Sequence, residues 1–529
     1  MDDLLFMRAK SLFKSIGILW LGVLGAALSS NGLSATYYID QSAGNDSNNG
    51  TSASTPWKNC PGMSAYAGSG TLRPGDTVYF DRGDTWLVTG GQGLYLTGGV
   101  TYIGNSWGSG TKARIRANAD LDAGVVRFRD HATVATVFEG FEIDANGKVT
   151  TGVDINHAYW QLMNGATKRL KDCEVHHTWS RVASSQYKYG VIVSNFGGTA
   201  GYCENVEIIN CVVHDTSRDA ICLYPGDVNK DCRIRNILVR GCESFNTGQD
   251  PDYGAGAGII TKGFVQDVII ENNFMHDTKG AGYFVNGNET KHYPGVGPTN
   301  IHFRFNIVTC NSGHGAIRIY DGASGKDPKD LKIYGNLVYN SPSSGGVYIG
   351  GDLGNTLRVL MYNNTFYNSP VSLNANSATF EVFEFKNNIV YHPGGTPLLD
   401  AQRKITAHSN NIYYRSSGTL VSAGGTSYDA SSLGNYESTA LAGNPLLKGT
   451  TTFPTGFTGV FGSTLVPNND SMSLQSASPG IDNGVALVAG FNGSVNSVGR
   501  PAGARWDIGA YEFGSGAQKP APPTNLRVE

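Results

Sequence analysis

Four nine-residue segments constrain this chain more than any other feature: Glu207–Asp215, Ile269–Asp277, Lys332–Asn340 and Leu360–Asn368 align without a gap. Their shared fifth position recurs as Phe141, Cys173, Cys211, Cys242, Asn273, Asn306, Asn336, Asn364, Asn388 and Asn411, at intervals of 23 to 38 residues. Each segment alternates apolar and polar residues with a period of two, so it is a strand with one face turned inward. Three residues past the shared position come His176, His214, Phe245, His276, Thr309, Tyr339, Tyr367, Tyr391 and Tyr414. Like side chains at one register are what parallel strands stacked ~4.8 Å apart favour, because each residue lies over its counterpart. The same stacking lets Asn273 through Asn411 exchange amide hydrogen bonds along the column, a structural role.

Ten such positions predict an all-β solenoid, a right-handed parallel β-helix of about ten or more coils, each with two or three short strands. The composition agrees. Glycine supplies 70 of 529 residues, about twice the usual ~7%, which suits frequent tight corners. Helical periodicity is absent, and the leucine-rich pattern and the ~40-residue blade of a propeller do not match. A net charge of -3 with no basic run argues against a nucleic-acid partner.

Arg8, Lys10 and Lys14 precede an uncharged stretch from Ile16 to Ser30 and small residues ending at Ala35, the pattern of a secretory signal. The apolar run is shorter than the ~20 residues a bilayer span needs, so the expectation is a secreted or surface protein, monomeric and without a membrane span. Of the eight cysteines, Cys173, Cys211 and Cys242 fall on the core position and are expected to be unpaired. A bridge between Cys203 and Cys232 is left open, and the absence of any CxxC spacing argues against zinc.

The segments Tyr37-Tyr38-Ile39-Asp40, Gly44 to Thr51, Thr55-Pro56-Trp57-Lys58 and Pro74-Gly75-Asp76-Thr77-Val78-Tyr79-Phe80 resemble the entry of secreted β-helix proteins of the pectate lyase superfamily. Ser478 to Gly484, Gly499-Arg500-Pro501 and Asp507 to Phe513 are similar to the closing segment of bacterial surface β-helix proteins. The resulting division is a signal at 1–35, a cap with the first coils at 36–125, the regular helix at 126–415, an irregular end at 416–513 and a Gly/Pro linker at 514–529. Pro522 to Val528 looks like the start of a fibronectin type III module.

A second strand follows each corner, and its outward residues form two columns. One contains Arg318 and Tyr348; the next reads Asn156, Ser194, Tyr224, Lys262, Asn286, Tyr320, Gly350 and Asn374. Aromatic faces stack on sugars while cations and amides hold hydroxyls and carboxylates, so Tyr224, Asn286, Tyr348 and Asp321 are expected to bind a polysaccharide, an acidic one above all. For a uronate polymer the expected reaction is β-elimination, with Lys262 as base and Arg318 or Tyr320 as its partner. The stretch from Cys242 to Gly263 resembles the coil of calcium-dependent pectate lyases that carries a catalytic lysine, which places the role on Lys262. That family's calcium-binding aspartate five residues earlier is Ala257 here, so calcium is left open, with Asp250 and Asp252 as substitutes. Gly313-His314-Gly315 resembles a polygalacturonase motif, but that family's paired aspartates are missing, and Asp219 and Asp321 lie three coils apart, about 14 Å. Elimination is therefore favoured over hydrolysis, and a non-catalytic glycan-binding protein remains as the alternative.

Overall fold

The computed structural model describes residues 34–514, except 90–92, 121–123, 129–132, 150, 157–164, 179–188, 196–200, 227–231, 251–255, 288–296, 311–312, 322–328, 342–344, 352–356, 374–379, 394–398 and 402–404. Three long sheets wind together. The first has 13 parallel strands from Thr36–Ile39 to Ala407–Ser409, and the second has 12 from Thr85–Val88 to Ile412–Tyr414. The third has 13, from Leu94–Leu96 to Thr426–Tyr428, and only its last pair is antiparallel. A representative coil runs through Val265–Glu271, Phe274–Met275 and Tyr283–Asn286, one strand in each sheet. No helix of the described residues is long and apolar enough to cross a membrane.

The corner between first and second sheets explains the repeat. The residue before each shared position adopts the left-handed conformation, as at Asp172, Asn210, Gly241, Asn272, Asn363, Asn387 and Asn410, which glycine, asparagine and aspartate tolerate best. The next side chain then turns into the core. Cys173, Cys211 and Cys242 are buried free thiols there, as expected. Each also lies 3.5–3.7 Å from a carbonyl of the preceding coil. From Asn273 onward an amide takes the place of the thiol and donates both to that carbonyl and to the next asparagine, in steps of 3.0–3.1 Å through Asn306, Asn336, Asn364, Asn388 and Asn411. The ladder is directional and ends on an acceptor: Glu437, just after the short helix Leu433–Tyr436, receives Asn411 on its carboxylate. No disulfide joins Cys203 to Cys232, because Cys203 stands opposite Ile234 and Cys232 opposite Gly201, two residues out of step.

The second sheet's outer face changes character along the axis. Its in-register column reads Arg114, Glu142, Glu174, Val212, Glu243, Phe274, Ile307, Leu337, Thr365, Ile389 and Ile412. Charge gives way to apolar side chains where the C-terminal segment folds back, packing Leu447, Leu474, Trp506 and Ile508 onto Ile307, Leu337, Ile389 and Ile412. The aromatic ladder is formed as the repeat predicts: His176, His214, Phe245 and His276 stack with centroids 4.7–5.2 Å apart.

On the first sheet, Glu271 is buried between Arg240 and Arg304, whose Nε atoms each donate to it at 2.7 Å. Burial alone would raise its pKa, but the two guanidinium groups bring it below the ordinary glutamate value. A depressed carboxyl contributes stability that is complete above its unfolded pKa of ~4.3 and is lost as pH falls through the lower folded value. Acid unfolding followed by circular dichroism should therefore show a shallower stability loss below pH ~4 in Glu271→Gln than in the wild type. Parallel acid profiles for the two would remove Glu271 from the titration.

Candidate functional site

The outward stripe of the third sheet is built from Ile221–Tyr224, Ile259–Lys262, Tyr283–Asn286, Ile317–Asp321 and Val347–Gly351. Alternation sends Ile221, Leu223, Ile259, Val285, Ile317, Ile319, Val347 and Ile349 into the core, all fully buried. The residues between them share the outer face in the predicted register. Ser194 pairs with Tyr224, Lys262 with Asn286, Asn286 with Tyr320, and Arg318 lies between Phe284 and Tyr348.

The stripe has two parts. Toward the N-terminal coils Tyr224 and Lys262 face outward but are covered, with only 8% and 2% of their surface exposed. The sequence reading treated Lys262 as an exposed residue; the structure places its Nζ 5.4 Å from the Tyr224 ring centre, beside a small apolar cluster of Tyr189, Ile192, Cys222, Ala257 and Ile260. Toward the C-terminal coils Asn286, Arg318, Tyr320 and Tyr348 are half-buried and open. The Arg318 guanidinium carbon sits 4.8, 5.0 and 5.8 Å from the ring centres of Tyr320, Phe284 and Tyr348. Arg318 Nη1 lies 2.7 Å from His314 Nδ1, while its buried Nε has no hydrogen-bond partner among the described residues. Burial lowers the Arg318 pKa, opposed by the phenols of Tyr348 and Tyr320. Burial and then Arg318 push His314 below the ordinary histidine value, so it is neutral at pH 7 and accepts the guanidinium proton. His314 enters the site from the segment just before the strand, which the period-two alternation does not reach.

The remaining predicted residues separate. Asp250 is buried, with its N–H donated to Ser217 O at 3.0 Å, and Asp252 lies outside the described residues. Asp321 is the last residue of its strand, and only its backbone is described. Ala257, at the position of the family's calcium-binding aspartate, donates its N–H to buried Asp219 at 2.8 Å. Among the described residues, the group whose donor atoms converge closely enough to hold a metal is Asp144, His176 and His177, on the second sheet.

Residues 161–366 match a family model described as a right handed beta helix region, which agrees with the coils in that range. The fold is thus the right-handed parallel β-helix that the repeat implied. No curated protein matches the chain. Solved structures similar to it include pectate lyase Pel9A, at 14% identity and TM-score 0.45, over 91% of this chain and 98% of that one. A GH136 lacto-N-biosidase from Eubacterium ramulus matches at 14% identity and TM-score 0.38 over 73% of this chain, which spans 65% of the biosidase. The A-module of the Azotobacter vinelandii mannuronan C-5 epimerase AlgE6 matches at 14% identity and TM-score 0.42, over 70% of this chain and 91% of that one.

Proposed function

We propose that the protein is exported and acts on an acidic polysaccharide, which lies across Asn286, Arg318, Tyr320 and Tyr348 and is cleaved by β-elimination. The observation that carries this reading is the setting of Arg318, a half-buried cation held among three aromatic rings. A guanidinium fork pairs with a uronate carboxylate, and the flanking rings offer faces for sugar stacking. Successive coils repeat every ~4.8 Å, about one sugar residue, so the stripe can follow a chain along the axis.

In elimination a base removes the proton on the carbon beside the carboxylate. The electron pair forms a carbon–carbon double bond, and the glycosidic oxygen departs with a proton. Arg318 would hold the carboxylate and offset the charge that develops on it. Tyr320, on the open side and within reach of Arg318, would move the proton; Lys262 beneath Tyr224 would support the stripe electrostatically through its neighbour Asn286.

Purified protein offered polygalacturonate, alginate and neutral glycans, with and without calcium, should release unsaturated, ultraviolet-absorbing products from a uronate polymer alone. Tyr320→Phe should slow that release by a factor of ~10²–10⁴ with circular dichroism unchanged. New reducing ends without the absorbance would make the protein a hydrolase, and retention on a glycan column without cleavage a binder. Either result would sink the elimination reading, and so would full activity in Tyr320→Phe with Arg318→Ala also active.

A further inference from the structure

On the early coils of the second sheet the outer face is charged, and one coil differs from its neighbours in a way that points to a ligand. His214 Nδ1 lies 2.7 Å from Asp215 and its Nε2 3.2 Å from Glu174. His276 repeats this with Asp277 at 2.7 Å and Glu243 at 3.1 Å. In both, a carboxylate faces each ring nitrogen, and the bridging hydrogen accounts for the contact. At His176 the outer partner is Glu142 at 3.2 Å, as in the other two, but the place of the aspartate is taken by His177, whose Nδ1 stands 2.6 Å from His176 Nδ1. Asp144, one coil back in the same column, brings Oδ1 to 3.7 Å from the first nitrogen and 3.4 Å from the second.

We propose that Asp144, His176 and His177 bind a divalent transition-metal ion of the zinc type. Three atoms with these separations lie on a circle of radius about 1.9 Å, so an ion at the ~2.0–2.1 Å of a zinc–nitrogen bond sits less than ~1 Å off their plane. The surroundings already hold the ligands in their binding state. Glu142 faces His176 Nε2, which fixes the ring hydrogen there and leaves the Nδ1 lone pair for the ion, and Arg114 Nε lies 2.7 Å from Glu142 in turn. Arg116 Nε lies 3.1 Å from Asp144 Oδ2, and the Asn146 N–H donates to Oδ1 at 2.8 Å.

Access comes from His177, whose side chain is 56% exposed and lines a cavity of about 490 Å³ together with Asp144, Asn146, Asp215 and Asn246. Two imidazoles and one carboxylate leave a coordination position open to that cavity, as in zinc sites that keep a water or a substrate oxygen. The donor set suits zinc, cobalt, nickel or ferrous ions and falls short of the six or more oxygens that calcium takes. Cysteine spacing argued against zinc, but no ligand here is a thiolate. The site stands on a different sheet from the stripe that carries the proposed elimination, so either can fail alone.

The test uses untagged full-length protein, stripped with a chelator and titrated with Zn²⁺ against a chromogenic competitor. One equivalent should bind, excess Ca²⁺ should not displace it, and Co²⁺ in its place should give visible d–d bands. His177→Ala, at an exposed side chain, and Asp144→Asn should each weaken zinc binding at least ~10-fold, while His276→Ala, three coils along the same stripe, should bind as the wild type does. Absence of stoichiometric zinc uptake, or unchanged uptake in both His177→Ala and Asp144→Asn, overturns the assignment.

Discussion

Asn336→Ala should destabilise the protein by about 4 kcal/mol or more, an effect usually reserved for large core deletions. The reason is the number of buried groups that one amide satisfies. Its Oδ1 accepts the Asn306 N–H at 2.9 Å and the Asn306 side-chain amide at 3.1 Å. Its Nδ2 donates to Phe303 O at 2.9 Å and to Asn364 Oδ1 at 3.0 Å. Alanine removes all four bonds and leaves two donors and a carbonyl without partners in a column where every asparagine is fully buried. Each orphaned group costs ~1–3 kcal/mol, more than the ~1 kcal/mol a typical exposed hydrogen bond contributes. Guanidinium unfolding monitored by far-ultraviolet circular dichroism measures the loss. A change below ~1 kcal/mol would mean that the coils do not depend on the ladder.

The same chemistry explains why the ladder stops where it does. Every asparagine passes its backbone N–H and one side-chain hydrogen toward the C-terminal coils, so the final member needs an acceptor beyond it. Glu437 meets that need with its carboxylate oxygens, which also receive the Tyr413 hydroxyl at 3.3 Å. At the other end the direction requires only a donor, which the Cys242 backbone N–H supplies to Asn273 Oδ1 at 2.9 Å. Cysteine can therefore precede asparagine in the column but could not close it.

The coil register was legible because the period-two alternation and the shared position fix it locally. Inward and outward residues of the third sheet follow from that alone, and Asn286, Arg318, Tyr320 and Tyr348 share a face as expected. The burial of Tyr224 and Lys262 was legible only in part. It arises from an outer cluster: Ile192, Cys222 and Ile260 form the neighbouring outward column, whose apolar character was a periodic signal, while Tyr189 and Ala257, outside that column, carry none. His177 escaped notice for a different reason. A left-handed residue late in the strand breaks the period-two alternation and swings its side chain back beside the stripe. The signal was present: that position reads His177, Asp215, Asn246, Asp277, Cys310, Asn340 and Asn368, and all but Cys310 adopt positive φ, which Asn and Asp tolerate best among non-glycine residues. Asp144, three residues past Phe141, is likewise the first member of the column whose later members were recognised as a ladder.

The closing motif of the sequence yields the second large prediction. Arg500 is completely buried, and its donors serve five acceptors: Gly493 O at 3.2 Å, Asp507 O at 2.9 Å, Glu512 Oε2 at 2.7 Å, Gly509 O at 2.7 Å and Tyr511 O at 3.1 Å. The residues from Asp507 to Glu512 thus wrap one guanidinium, which is why Gly499-Arg500-Pro501 and the terminal motif occur together. Arg500→Met keeps much of the volume but leaves the buried Glu512 carboxylate without its countercharge and removes the side-chain donor from the Gly493 and Tyr511 carbonyls, at a cost of ~3–5 kcal/mol. Lys would not restore the site, because three donors on a flexible stem cannot reproduce a planar fork of five. The loss should fall on the C-terminal segment rather than on the coils, since that segment is held by its packing on Ile307, Leu337, Ile389 and Ile412 and by side-chain bonds such as Asn363 to Asp507 O and Asn387 to Val485 O. Limited proteolysis should then cut Arg500→Met within residues 441–513 well before the wild type, while the sheets survive as a resistant core that binds a hydrophobic dye along the newly bared column. Equal proteolytic half-lives for the two proteins would show that the segment is anchored by its apolar face alone.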